Sequence, residues 1–181
     1  WLEGDRQLWH LQPRVGLMRD HVKLAHDQNL SGVVAIHWRT GETRLNLDTF
    51  ARFAAEPTSE LTAETIYQED GMKQFGEAAG RKLAPVLAQM DTERWLDPPD
   101  SPEYFPYHPQ WGRVDTKLRQ RLSEVIGLTE QMKEAAKTRE HQANLSWLSA
   151  NLRCTLLLDE VGRKIEPAYE MKNRWLSGKL D

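Results

Sequence analysis

Three carboxylates lie in the two tryptophan-containing stretches that flank the first helical pattern of the sequence. Glu3 and Asp5 stand near Trp1 and Trp9, and Glu42 follows Trp38. A pair of carboxyl groups can cleave a glycosidic bond, because one protonates the leaving oxygen while the other attacks as nucleophile or activates a water. We therefore predict Glu3 and Asp5 as catalytic candidates. The alternative, that each acid is an ordinary solvated loop residue, stays open.

Aromatic and hydrogen-bonding side chains accompany these acids. An indole offers a flat apolar face to a sugar ring, and imidazole and guanidinium groups bind hydroxyls or a carboxylate. The predicted substrate-binding residues are Trp9, His37, Trp38, Arg39 and Glu42. Trp38 could instead be a core residue. The histidines have no metal-ligand spacing and the glycines form no phosphate-binding loop, so we expect no metal and no cofactor.

A short apolar run would position the second group of candidates. Residues 32–38 include Val33, Val34 and Ile36 and predict a strand buried on both faces, as in parallel sheets. A helix beginning at Pro13 precedes this strand, and its predicted buried face is Val15, Met18, Val22 and Ala25. In a (β/α)8 barrel the site lies at the carboxyl ends of the strands. The helix would return the chain to the start of the strand, so we expect both candidate groups on one side of the sheet.

Helical patterns dominate the rest of the chain. A short amphipathic helix is predicted from Leu47, Phe50, Ala51 and Ala54, and two further helices from residues on either side of Asp70 and Gly71. Residues 95–112 are rich in proline and aromatic rings and predict an ordered connector. Two long antiparallel helices follow, with a break or kink expected at Pro167. Their expected buried leucines are Leu118, Leu122, Leu148, Leu152 and Leu156.

Composition restricts the class of protein. The formal net charge is -3 and the sequence pI is about 6.1, values that argue against a general nucleic-acid binder. No apolar run is long enough to predict a membrane-spanning helix. Cys154 is the single cysteine, which excludes an intramolecular disulfide. Because it lies within a helical pattern, we expect a buried, inert thiol.

Two stretches carry a resemblance to known enzymes. Trp1-Leu-Glu-Gly-Asp, Leu-Trp-His-Leu-Gln-Pro-Arg-Val and Gly-Val-Val-Ala-Ile-His-Trp-Arg-Thr, with Asn46 and Phe50-Ala-Arg-Phe-Ala, resemble the end of the catalytic barrel in large bacterial glycoside hydrolases. Residues 67–91 are similar to the start of the helical domain in α-N-acetylglucosaminidases, α-glucuronidases and β-hexosaminidase-like enzymes. The resemblance implies hydrolysis of a glycosidic bond in a carbohydrate substrate, and periplasmic or extracellular localisation.

The expected architecture is mainly α. Residues 1–58 would be the last βα unit of a (β/α)8 barrel, and residues 59–181 an α-helical bundle domain. Since the chain opens without Met in what reads as the middle of a domain, we expect a fragment that is inactive alone and needs an upstream barrel segment. Two alternatives are a non-enzymatic helical interaction module, and a different barrel enzyme acting on another flat substrate.

Overall fold

A computed structural model describes residues 13–36, 43–95 and 114–178. Within these ranges the chain forms six α-helices and no β-strand, which confirms the mainly helical class. The helices are α1 (Val15–Asp27), α2 (Arg44–Ala55), α3 (Ala63–Phe75), α4 (Glu77–Thr92), α5 (Thr116–Ala135) and α6 (Arg139–Leu176). Contacts of α1 with α3 and α4 join the regions before and after residue 58.

Helices α3 and α4 are packed backbone to backbone through two glycines. A Cβ atom on Gly80 would lie 2.3 Å from the Met72 nitrogen, and one on Gly71 would lie 3.1 Å from the Gly80 Cα. The predicted separation near Asp70 and Gly71 is therefore wrong, because Gly71 lies inside α3 and serves this close contact. The break occurs at Gly76, whose φ of 87° is in the left-handed region that favours glycine.

Helices α5 and α6 lie antiparallel, as predicted. Residues 136–138 join them, and Glu130 contacts Ser149 while Arg119 contacts Asp159, so residue numbers rise along one helix as they fall along the other. Leu122, Leu148 and Leu152 are buried in the common core, which confirms the prediction for three of the five leucines. Leu118 and Leu156 are half-buried against the same core.

The first two helices match their predicted positions, but only α1 matches its predicted buried face. All four apolar positions of α1 are buried, namely Val15, Met18, Val22 and Ala25. Helix α2 instead buries Asn46, Thr49 and Phe53, and it leaves Leu47, Ala51 and Ala54 exposed. The predicted face of α2 is wrong because Asn46 binds the chain at the start of α1 and Phe53 fills the core.

The predicted strand is not formed over the part that the structure describes. Residues 32–36 have no strand pairing, and Val34 is 85% exposed. A strand requires a neighbouring strand for its backbone hydrogen bonds, and residues 13–36, 43–95 and 114–178 supply none. His37 and Trp38, the end of the predicted strand, lie outside the described residues.

Two predictions concern α6. The helix continues through Pro167 without a break, and a kink there stays a prediction. Cys154 is exposed rather than buried, so the prediction for its thiol is wrong. Cys154 lies two residues beyond the buried Leu152, which places it on the far side of the helix from the core. Within the predicted connector at residues 95–112, the structure describes Trp95, whose side chain is buried. Val114, which follows the connector, is buried too.

Candidate functional site

All the predicted catalytic and substrate-binding residues lie outside the described ranges. They are Glu3, Asp5, Trp9, His37, Trp38, Arg39 and Glu42. Their roles therefore remain predictions. They belong to residues 1–12 and 37–42. The described chain resumes after these two segments at Pro13 and Thr43, close in sequence to Arg14 and Asn46, which are in contact.

The backbone N–H of Arg14 donates a hydrogen bond to Oδ1 of Asn46 at 3.3 Å. This contact joins the start of α1 to the first turn of α2, across 32 residues of sequence. A helix of 13 residues is about 20 Å long, and nine extended residues can span about 30 Å, so residues 28–36 are long enough to bring the chain back. The start of α1 and the start of α2 therefore lie at one corner of the fold.

Asp91 completes this corner from the end of α4. Its Oδ2 accepts a hydrogen bond from the backbone N–H of Gly16 at 2.7 Å. Helix α1 has no side-chain cap at Arg14, so this carboxylate satisfies a helix N–H group that would otherwise lack one. A negative charge at a helix N-terminus is also favourable. We call Arg14, Gly16, Asn46, Tyr67 and Asp91 the α1 corner.

Tyr67 of α3 donates its hydroxyl hydrogen to the same Asp91 oxygen, at 3.0 Å. Burial raises the pKa of Asp91 above its ordinary value, although the hydrogen bonds from Gly16 and Tyr67 lower it in part. Burial also raises the pKa of Tyr67 well above its usual value, and the neighbouring Asp91 carboxylate raises it further. The pKa of each of the two groups is therefore higher in the folded protein than its ordinary value.

The exposure of this pair decides its role. Asp91 is 8% exposed and Tyr67 is buried, so a substrate has little access to either group. Asp91 instead binds α1 to the α3–α4 pair. Tyr67 and Asp91 therefore hold the first turn of α1 against α3 and α4.

Sequence reasoning did not single out Asp91, although a signal was present. Asp91 follows Ala84 and Leu87 at helical spacing, on the buried face of α4. An acid on such a face needs a hydrogen-bonding partner. The partner, a backbone N–H 75 residues away, is not visible in any local pattern.

Ion pairs connect α2 to α3 beside the α1 corner. Arg44 binds Asp70 at 2.8 Å and Asp48 at 3.1 Å, and Arg52 binds Glu69 at 2.8 Å. Exposed pairs of this kind contribute about 0–1 kcal/mol each. Their contribution to the free energy of unfolding is therefore small.

A groove of about 570 Å³ lies at the other end of α4, about 20 Å from Asp91 along the helix. Its lining includes Phe75, Met132, Ala136 and the imidazole of His141. The His141 ring lies against Gly76, where a Cβ atom would be 3.0 Å from Nδ1. Among the described residues of its lining Glu77 is the one carboxylate, and that lining does not supply the acid pair that glycosidic cleavage needs.

Three findings bear on other kinds of site and on known relatives. Within residues 13–36, 43–95 and 114–178, no three His, Cys, Asp or Glu side chains converge as a metal site would require. None of the described helices combines the length and apolar character needed to cross a membrane. No protein-family model, curated protein or solved structure matches the chain.

Proposed function

We propose that the chain is part of a glycoside hydrolase that cleaves glycosidic bonds in a glycan. In this proposal, α1 and the residues that follow it form the last helix–strand unit of a (β/α)8 barrel. The later helices form the domain that supports the barrel. The observation that carries the proposal is the exposed apolar surface at residues 30–36.

Residues 30–36 have the composition of a strand, and their side chains are exposed as those of an unpaired strand would be. Leu30, Val34 and Ile36 are exposed, as is Val33. Residues of this type in a parallel sheet are covered on both faces, so a soluble protein that leaves them in water is unusual. Neighbouring barrel strands would cover them and would pair their backbone groups. The outward Leu47 of α2 would be covered by the same neighbours.

The hydrogen bond between Arg14 and Asn46 also supports the proposal. This bond places the starts of α1 and α2 at one corner. In a barrel, the loop before a helix and the loop after the next strand face the same substrate, so a helix–strand unit requires this arrangement. Glu3 or Asp5 would then protonate the leaving oxygen or act as nucleophile. Trp9 or Trp38 would stack on a sugar ring, while His37, Arg39 and Glu42 would bind its hydroxyls.

The test uses the protein produced from the complete reading frame. We expect it to hydrolyse at least one aryl glycoside from a panel of N-acetylglucosaminides, N-acetylhexosaminides and glucuronides of both anomeric configurations. Glu3→Gln and Asp5→Asn should each lower kcat by at least about 100-fold while the unfolding midpoint stays unchanged. The matched control is Glu56→Gln, since Glu56 is an exposed acid at the end of α2.

Two results would overturn the proposal. One is normal turnover in both Glu3→Gln and Asp5→Asn, which would remove the catalytic assignment. The other is the lack of hydrolysis across the panel by a correctly folded complete protein. The 181-residue chain alone is expected to be inactive in the same assays.

The alternative of a helical interaction module is favoured by a separate observation. Helix α6 exposes large apolar side chains along its outward face, among them Trp147, Leu157 and Trp175. A protein-binding role for this face is compatible with a hydrolase.

A further inference from the structure

Helix α6 has two apolar faces, and one of them packs against the core formed by the other described helices. Leu145, Leu148 and Leu152 face the core. The opposite face presents nine exposed residues at alternating intervals of three and four. We call them the outer stripe: Trp147, Ala150, Cys154, Leu157, Val161, Lys164, Ala168, Met171 and Trp175.

This spacing is that of a coiled-coil seam. Alternation of three and four residues gives a mean period of about 3.5, which keeps one line of side chains facing a partner helix. Eight of the nine positions in the outer stripe are apolar, and the stripe is about 42 Å long. A helix that packs only against the core of its own chain needs one apolar face and not two.

We propose that the outer stripe binds the outer stripe of a second copy of this chain, as an antiparallel two-stranded coiled coil. The proposal concerns assembly and does not depend on the proposed hydrolase function. The available area, the pairing of side chains and the rigidity of α6 support it.

The exposed area is sufficient for a dimer. Trp147 is 45% exposed, Leu157 58%, Val161 45%, Met171 65% and Trp175 69%. With about 150–250 Å² for a large side chain, the stripe offers on the order of 600 Å² per copy. If the second copy covered all of this area, the two copies together would bury about 1,200 Å², the lower bound for specific, stable interfaces. A single exposed patch of that size is at the upper end of the range for monomers.

The residue types favour the antiparallel direction. With the two-fold axis at residue 159, Leu157 faces Val161 of the second copy and Ala150 faces Ala168. In the same register Trp147 faces Met171, and Trp175 faces Ala143, so each bulky ring meets an aliphatic or small side chain. Lys164 faces Cys154. A parallel pair would instead place Lys164 against Lys164, which is unfavourable for like charges in a seam.

The middle of α6 is held firmly from the opposite side. The buried carboxylate of Asp159 accepts hydrogen bonds from Val114 N–H at 3.0 Å, from Arg163 Nε at 2.9 Å and from Arg119. These contacts bind α6 to the start of α5. The outer stripe is therefore presented on a helix whose position is already fixed, which lowers the cost of association.

The first experiment measures the oligomeric state of the 181-residue chain by sedimentation equilibrium. We expect a monomer–dimer equilibrium whose dissociation constant rises at least about 100-fold in Val161→Asp, since the seam would bury that charge. The matched control is Asn173→Asp, which adds the same charge to an exposed position of α6 outside the stripe. A monomeric chain at all concentrations, or equal weakening by both variants, overturns the proposal.

The second experiment determines the direction of the pair. In a Cys154→Ser background, Ala150→Cys and Ala168→Cys chains are oxidised separately and then as a mixture. The proposal expects a disulfide-linked dimer in the mixture only, because residues 150 and 168 face each other across the antiparallel axis. Disulfide-linked dimers of either variant alone indicate a parallel pair and overturn the antiparallel assignment. No cross-linking in the mixture overturns it as well.

Discussion

Asp91, in the last turn of α4, accepts a hydrogen bond from the backbone N–H of Gly16 at 2.7 Å, across 75 residues of sequence. A residue from a distant helix thus supplies the cap that α1 does not supply for itself. The position of α1 therefore depends on the folding of α3 and α4.

The first prediction concerns the loss of this cap. Asp91→Ala removes the acceptor for both Gly16 N–H and the Tyr67 hydroxyl, and an unsatisfied buried group costs about 1–3 kcal/mol. We expect a loss of about 2–4 kcal/mol in the free energy of unfolding, measured by urea denaturation. Asp91→Asn is the control, because it keeps an acceptor oxygen and should lose less. Equal losses in the two variants would contradict the capping role.

The second prediction follows from the raised pKa of Asp91, which burial causes. The folded protein takes up this proton at a higher pH than the unfolded chain. The contribution of Asp91 to stability is thus greatest below the unfolded pKa and decreases as the pH rises through the folded pKa. The stability of the wild type relative to Asp91→Asn should increase as the pH falls from neutral toward about 4, near the ordinary pKa of Asp.

Urea denaturation of both proteins across this pH range measures the difference. Other carboxylates are common to the two proteins and cancel in the comparison. A difference that stays constant would show that Asp91 is not desolvated in solution as it is in the structure.

The sequence predicted those parts of the fold that depend on local periodicity. Val15, Met18 and Val22 of α1, and Leu148 and Leu152 of α6, recur at helical spacing and are buried. Such a stripe is fixed by the geometry of one helix and needs no knowledge of its partner.

The failures involve features that depend on distant residues. Residues 32–36 have the composition of a strand, but a strand forms only where another strand pairs with it. Gly71 appeared to separate two helices, whereas it serves the contact with Gly80. Cys154 appeared to be buried, because a helix with two apolar faces does not reveal which face meets the core. For the candidate site, the sequence predicted no role for Asp91.

The third prediction tests the close crossing of α3 and α4. In Gly80→Ala, the new Cβ would lie 2.3 Å from the Met72 nitrogen and 2.4 Å from the Gly71 carbonyl carbon, so the helices must separate. Overpacking of this kind costs about 1–3 kcal/mol. Because the crossing aligns Tyr67 with Asp91, the α1 corner should loosen too, with faster amide exchange at Gly16.

Gly127→Ala is the matched control, since Gly127 lies in α5 and a Cβ added there would have nothing within 4 Å. There the gain in helix propensity should stabilise the protein by up to about 1 kcal/mol. Thermal unfolding should therefore move in opposite directions for the two variants. A Gly80→Ala protein as stable as the wild type would contradict the backbone contact.

The last prediction concerns Asp159, whose pH dependence should be opposite to that of Asp91. Burial by itself would raise the pKa of Asp159. The hydrogen bonds from Arg163, Val114 and Arg119 outweigh burial and lower it. The folded protein therefore releases this proton more readily than the unfolded chain does. The resulting stability is present above the unfolded pKa, at about 4, and is lost as the pH falls through the folded pKa.

The test is Asp159→Asn. Both arginine partners are partly exposed and regain water, so we expect a loss of about 2–3 kcal/mol at about pH 7. The difference from the wild type should shrink below about pH 4, because the carboxylate takes up a proton first in the unfolded chain and then, at lower pH, in the folded protein. Asp91→Asn, measured in the same series, should instead diverge from the wild type as the pH falls from neutral toward about 4. Parallel pH profiles for the two variants would contradict the opposite electrostatic environments of the two buried acids.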